Sequence, residues 1–305
     1  MNSACIVNRL VLPLLLGLPM IITGCSSSPL WTQEDISPDG LLFATPLEAE
    51  VRLTKTSDDQ LVRTLSGGHD AHVTAVHFSE DGDRLVSGDS TGRIVVWNPR
   101  DGKNLGRLIG HRGSIQQFAV RPGIPDLASA SSDGTIRLWD LEGRKEFRTL
   151  TGHAGAVTSV EFSPDGRTLV TASMDRTAKV WGVETGTELG SLKGHEAGVL
   201  AAAYDATGSR VATGGDDGVI KIWDPKAGKE LRSMQGAKGP IRNLFITQDG
   251  RHLLAYQSVN RIAIWEIPTG LRVVEDYLAE APVAPRNWPY RAVFEEISKR
   301  AAHHH

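Results

Sequence analysis

Five tryptophans, Trp97, Trp139, Trp181, Trp223 and Trp265, stand 42 residues apart. Two further markers keep the same step. Gly-His pairs end at His69, His111, His153 and His195, and one more step lands on Ala237, where the pair has decayed. Ile36, Phe78, Val120, Phe162, Tyr204 and Ile246 are spaced alike, most of them leading into turns such as Ser163-Pro164-Asp165-Gly166. Three independent markers in one register mean a repeated unit. A unit of this length cannot bury both its faces alone, so copies must stack on one another.

One repeat shows what the unit is. Val157–Phe162 alternates apolar and polar residues, as a half-buried strand does. Pro164-Asp165-Gly166 makes a turn. Thr168–Ala172, Thr177–Trp181 and Glu188–Leu192 follow as second, third and fourth strands, separated by Asp175-Arg176 and Glu184-Thr185-Gly186. Four antiparallel strands form a blade, and blades packed side by side form a propeller. Five blades begin near His69, His111, His153, His195 and Ala237. A degenerate first one opens at Ile36-Ser37-Pro38-Asp39-Gly40, with Val51-Arg52-Leu53 in place of the tryptophan strand. The expectation is an all-β propeller of six blades. Seven would need a partner strand or an unusual tail.

From about Trp31 to Asp276 the chain resembles the WD-repeat family. The Trp-Asp dipeptide is intact at Trp139-Asp140 and Trp223-Asp224, and altered at Trp97-Asn98, Trp181-Gly182 and Trp265-Glu266. A polar set recurs in three repeats: His111, Ser129, Asp133 and Trp139; His153, Thr171, Asp175 and Trp181; His195, Thr213, Asp217 and Trp223. Hydroxyl, histidine and aspartate together suggest a hydrolase triad. An active site has no reason to occur three times in one chain, however, and the resemblance implies that these residues form a structural hydrogen-bond network within each blade. The second blade keeps His69, Ser87 and Trp97 but places Thr91 at the aspartate position. The last keeps Trp265 alone, beside Ala237, Ala255 and Val259.

The N-terminus is a separate matter. Leu10–Ile22 is apolar for about thirteen residues, shorter than the roughly 20 that span a bilayer, and of the size of a signal-peptide core. It ends in Ile22-Thr23-Gly24-Cys25, which resembles the lipobox of bacterial lipoproteins. The resemblance implies cleavage of residues 1–24 and lipidation of Cys25, leaving residues 25–30 as a tether. Loss of Arg9 with the leader would take the formal charge from −3 to −4. Of the two cysteines, Cys5 and Cys25, only the second would remain, so neither a disulfide nor a thiolate metal site is expected. Several acyl chains hold a protein stably on a membrane. Ser26 after the cysteine implies, by the family's sorting rule in Gram-negative bacteria, an outer-membrane protein facing the periplasm.

Residues 278–305 read as a Pro-rich segment followed by a short helix, with Tyr290, Val293, Phe294 and Ile297 on one apolar face. The near-even charge offers no basic stripe, so nucleic acid is not an expected partner. No phosphate loop or paired-histidine metal motif appears, so no cofactor and no metal are expected. Partner-binding residues are sought in loops at the face shared by the histidine loops and the second-to-third-strand turns. That face offers His72, Arg112, Gln116, Met174, Asp216 and Arg242, accompanied by Thr74, Ser114 and Ser258. The expected function is a non-catalytic protein-interaction scaffold held to a membrane by Cys25. A ligand or glycan receptor on the same face, and an enzyme using the central channel, are the competing readings. Aromatic platforms for the former are scarce. The inner strands, mainly Val, Ala, Ser and Phe, argue against the latter.

Overall fold

In the computed structural model, residues 34–277 are described, apart from 236, 238 and 258–260. They form six four-stranded antiparallel sheets, each made of four consecutive strands. Blade 1 runs from Asp35–Ile36 to Leu61–Leu65, blade 2 from Val73–Phe78 to Asn104–Leu108, and blade 3 from Ile115–Val120 to Lys145–Leu150. Blades 4, 5 and 6 run from Val157–Phe162 to Glu188–Lys193, from Val199–Tyr204 to Lys229–Met234, and from Ile241–Ile246 to Arg272–Tyr277. This is the six-bladed propeller that the 42-residue period predicts. Cys25, the tether and the C-terminal helix predicted over residues 278–305 lie outside the described residues, as do Ser258 and Val259.

Blade 4 shows how the sequence sets the strands. Thr168–Ser173 pairs with Thr177–Gly182 across the Met174–Arg176 turn, and Arg176 takes a φ of 71° there. Just before each tryptophan strand ends, the register to the outer strand slips, at Val96/Trp97, Leu138/Trp139, Val180/Trp181, Ile222/Trp223 and Ile264/Trp265. A bulge of this kind adds local twist. It recurs beside the bulkiest residue of each blade, and all five tryptophans are buried.

Each blade's tryptophan faces the blade before it. At the junction of blades 2 and 3, Ala75, Val86, Ile94, Val96 and Leu108 meet Ile115, Phe118, Leu127, Trp139 and Leu141. Five such apolar cores lie among the described residues, joining blade 1 to 2 and onward to blade 6. Polar side chains stitch the inner strands as well. Asp35 accepts from Phe78 N at 2.8 Å, Gln117 from Val160 N at 2.8 Å, and Glu161 from Tyr204 N at 2.9 Å. Thr74 and Thr158 donate to the carbonyls of Ile115 and Val199, at 2.6 and 2.7 Å. The inner strands thus hold more polar groups than the sequence reading assigned them, and these groups are engaged in blade-to-blade bonds.

Blade 1 departs from the period by one residue. Its hairpin Leu47–Glu50 leaves only Glu48 and Ala49 in the turn, with Glu48 at a φ of 50°. The register slip then falls at Leu53/Thr54. Thr54 therefore takes the tryptophan place.

Candidate functional site

The four-residue sets close within their blades. In blade 3 His111 bridges Asp133 (Nδ1 to Oδ2, 2.8 Å) and Ser129 (Nε2 to Oγ, 2.8 Å), and Trp139 Nε1 donates to the same hydroxyl at 2.8 Å. Blade 4 repeats this with His153, Asp175, Thr171 and Trp181 at 2.7, 2.8 and 2.9 Å. Blade 5 does so with His195, Asp217, Thr213 and Trp223, its His–Asp contact relaxed to 3.3 Å. The strand hydroxyl is the hub. It accepts the indole proton and turns its own toward the imidazole, while the imidazole's Nδ1–H points at the carboxylate.

The electrostatics agree with that arrangement. Burial lowers the pKa of His111, His153 and His195 and outweighs the opposing pull of the neighbouring aspartate, so the rings are neutral. Burial pushes the other way on Asp133 and Asp175. Donors from Thr135, the Arg112 backbone and His111, and from Thr177, His153 and the Ala154 backbone, overcome it and hold both carboxyls at about 2. Each aspartate also anchors the loop that carries its histidine, as Arg112 N and Ala154 N donate to Asp133 and Asp175 at 2.9 Å. A catalytic triad needs an accessible nucleophile. Ser129, Thr171 and Thr213 are fully buried.

Blade 2 has a residue that the sequence reading missed. Thr91 does not stand alone at the aspartate position. Asp89, two residues earlier, reaches His69 Nδ1 at 2.8 Å, and Thr91 donates to Asp89 through both its amide (2.9 Å) and its hydroxyl (2.6 Å). His69 and Trp97 meet Ser87 at 2.6 and 2.7 Å, completing a fourth network. The sequence signal was the Asp-x-Thr pattern of Asp133-x-Thr135 and Asp175-x-Thr177, displaced by two residues. In blade 6 Ala255 supplies no hydroxyl, and the buried Trp265 Nε1 has no hydrogen-bond partner among the described residues.

The loops held by these networks form the candidate partner face. A backbone tie repeats around it: Ser90 N to His72 O, Ser132 N to Ser114 O, Met174 N to Ala156 O and Asp216 N to Gly198 O, at 2.8 to 2.9 Å. Arg112, Asp216 and Arg242 are exposed, His72 and Gln116 half-buried. Met174 is 47% exposed and lies against Gly198, where an added methyl would come within 2.8 Å of its sulfur. Burial lowers the pKa of Arg242 while the charge of Asp216 opposes this, so the two share one region of the face. His72, Arg112 and Gln116 belong to blades 2 and 3, and Met174, Asp216 and Arg242 to blades 4, 5 and 6. Among the described residues there is no group of three or more His, Cys, Asp or Glu able to hold a metal ion.

The WD domain, G-beta repeat family matches residues 59–98, 102–140, 144–182 and 186–224, more than half of the chain. Similar proteins include U3 small nucleolar RNA-interacting protein 2 of Homo sapiens, 36% identical over 62 residues, which are 20% of this chain and 13% of that protein. Eukaryotic translation initiation factor 3 subunit I of Neurospora crassa is 37% identical over 65 residues, 21% of this chain and 19% of the relative. The 26S proteasome regulatory subunit RPN14 of Saccharomyces cerevisiae is 31% identical over 64 residues, 21% of this chain and 15% of the relative. The chain therefore spans less than a fifth of the length of each. With four repeats matched, the His–hydroxyl–Asp–Trp networks in the blades and six four-stranded sheets, the chain belongs to the WD domain, G-beta repeat family.

Proposed function

We propose that the protein is a non-catalytic scaffold that binds other proteins through its propeller and is tethered to a bacterial membrane by a lipidated Cys25. The observation that carries the scaffold is the engagement of the chemistry-bearing residues. Four histidines, four hydroxyls and four aspartates lie in closed networks that stiffen the loops, leaving a rigid rim with Met174, Arg112, Asp216 and Arg242 outward. Function on such a fold resides in loops held by the scaffold. Two of the similar proteins bear names of subunits of larger assemblies, which supports an assembly role here.

The anchor rests on the sequence Ile22-Thr23-Gly24-Cys25 and its place at the end of an apolar run. Outer-membrane attachment on the periplasmic side is part of the same proposal. Metabolic labelling with an alkyne fatty acid tests it. The full chain should incorporate label and Cys25→Ser should not. Label retained by Cys25→Ser, or absent from both, removes the anchor.

Crosslinking in intact membranes, read by mass spectrometry, tests the scaffold. Protein crosslinks should concentrate on the loops of the partner face and should be lost with Met174→Asp together with Arg242→Glu. A chain that crosslinks to nothing while turning over or binding a small molecule would overturn the reading. Repeating the capture without residues 281–305 separates the face from the tail.

A further inference from the structure

On the side of the propeller opposite the partner face, the outer strands of blades 1 to 5 each meet the turn that precedes the next blade's outer strand. At three junctions an arginine lies across that seam. Arg63 of blade 1 donates to Arg100 O at 3.3 Å. Arg148 of blade 3 donates to Glu184 O and Thr185 O at 2.8 and 3.2 Å, and Arg232 of blade 5 to Pro268 O and Thr269 O at 2.8 and 3.0 Å. Each arginine lies over a glycine of the turn, Gly102, Gly186 or Gly270, where a side chain would collide with it.

The junction of blades 2 and 3 uses the same parts in reverse. The strand position equivalent to those arginines is Gly106, and the turn position is Arg144, which folds its stem to within 3.1 Å of where a methyl on Gly106 would sit. Arginine faces glycine at all four places.

Blades 4 and 5 break the pairing. The strand residue is Gly190 and the turn residue is Gly228. A methyl on Gly190 would meet only Pro225 O, at 3.4 Å, and one on Gly228 only Ser191 O, at 3.9 Å. Both glycines are partly exposed, and the turn residues Lys226 and Ala227 are exposed. The turn keeps its neighbours' shape, with a φ of 64° at Gly228 against 71° at Gly186 and 74° at Gly270. Its carbonyls at Lys226 and Ala227 hold the positions that receive a guanidinium at the junctions on either side.

We propose that the notch between Gly190 and Gly228 is a socket for an arginine side chain presented by a partner protein. Arg148 and Arg232, at the junctions on either side, show which group the geometry accepts: a planar donor that reaches two adjacent carbonyls, on a stem that packs over glycine. Lysine lacks the fork and does not substitute. Lys226 beside the turn carries a like charge, so one isolated arginine binds weakly, with a dissociation constant on the order of millimolar or above. The socket serves as a specificity contact within a larger interface. It extends the scaffold reading to a second surface and rests on that reading.

N-acetyl-arginine methylamide and its lysine counterpart, titrated separately into the isotope-labelled full chain, provide the test by amide NMR. The arginine probe should shift the signals of Gly190, Ser191 and Lys226 to Gly228 most, and the lysine probe should leave them in place. Gly190→Arg should fill the notch from within, abolish the shifts and raise the melting temperature by about 2 °C. Gly106→Arg, placed against Arg144, should lower it. Should Gly190→Arg not fold, Gly190→Leu serves as the blocked variant. Equal shifts with both probes, shifts centred elsewhere, or shifts that persist in the blocked variant would overturn the socket. Crosslinked protein partners found equally with wild type and Gly190→Arg would leave the scaffold standing without the socket. A socket that binds arginine in a chain with no protein partners would do the reverse.

Discussion

His69 and Asp89 form a fully buried pair, Nδ1 to Oδ2 at 2.8 Å, with no exposed side-chain surface on either residue. In the next three blades the carboxylate comes from the turn and stays partly exposed, at 14, 10 and 15% for Asp133, Asp175 and Asp217. Moving the aspartate two residues back places it at the end of the second strand, so blade 2 keeps its network but drives a charge deeper. There the Thr91 amide and hydroxyl and the Arg93 amide stabilise it.

Burial makes Asp89 the most sensitive of the four. Asp89→Ala leaves His69 without an acceptor in a dry site and should cost about 3 kcal/mol. Asp217→Ala removes a longer contact at a wetter position and should cost about 1 kcal/mol. Chemical denaturation of the two variants measures the difference. Equal losses would mean that the depth of the pair does not matter.

Blade 2 also shows where reading from sequence stops. The period located every blade, because tryptophan, the Gly-His loop and the apolar strand residue each occupy one place in the repeat. The strands of blade 4, expected at Thr168–Ala172 and Thr177–Trp181, appear one residue longer, at Thr168–Ser173 and Thr177–Gly182. The three complete polar sets were legible as structure because they recur in register. Asp89 was not, because a fixed offset from the histidine cannot find a carboxylate that reaches the same nitrogen from the strand. Thr54 was hidden by the shortened turn at Glu48-Ala49, which shifts blade 1 by one residue. The arginine seam was invisible for another reason: its partners are backbone carbonyls, which carry no sequence signature.

The orphan indole of blade 6 makes a stabilising substitution accessible. Trp265 Nε1 is buried without a partner among the described residues, and Ala255 occupies the hub position held by Ser87, Ser129, Thr171 and Thr213. Ala255→Ser adds one oxygen where the other blades hold a hydroxyl; it accepts the indole proton and, with Ala237 in place of the histidine, turns its own proton toward the carbonyl of Ala263, its partner on the tryptophan strand. The gain should be about 1 kcal/mol, or about 3 °C in melting temperature. An unchanged or lowered melting temperature would show that blade 6 has closed over the position.

The four buried histidines set an acid limit on stability. In the folded chain the pKa of His69, His111, His153 and His195 lies below the ordinary 6.5, burial being the largest cause. The unfolded chain therefore takes up protons first as pH falls. This stability is complete above about pH 6.5 and is lost as pH drops through the window beneath it. The aspartates act later, since Asp133 and Asp175 titrate near 2 when folded against 3.8 when free, and lose their contribution across that lower window. Melting temperature should fall between about pH 7 and pH 5, and less steeply in His153→Gln. A flat profile over that range would contradict the buried neutral state.

Rigidity should differ from blade to blade, and amide hydrogen exchange reads it directly. Blades 2 to 5 each carry a closed network and are packed on both sides by apolar cores. Among its described residues blade 1 has no such network; it opens with a strand of two residues, Asp35–Ile36, and puts Thr54 where the others bury tryptophan. Blade 6 keeps the tryptophan but not its partner. Each blade is built wholly from consecutive strands, so among the described residues no strand from one end of the propeller completes the sheet at the other. Exchange should be fastest in residues 34–65 and 239–277 and slowest in the tryptophan strands of blades 3 and 4. Even protection through all six blades would mean that the first and last are held by contacts as strong as the networks of the middle four.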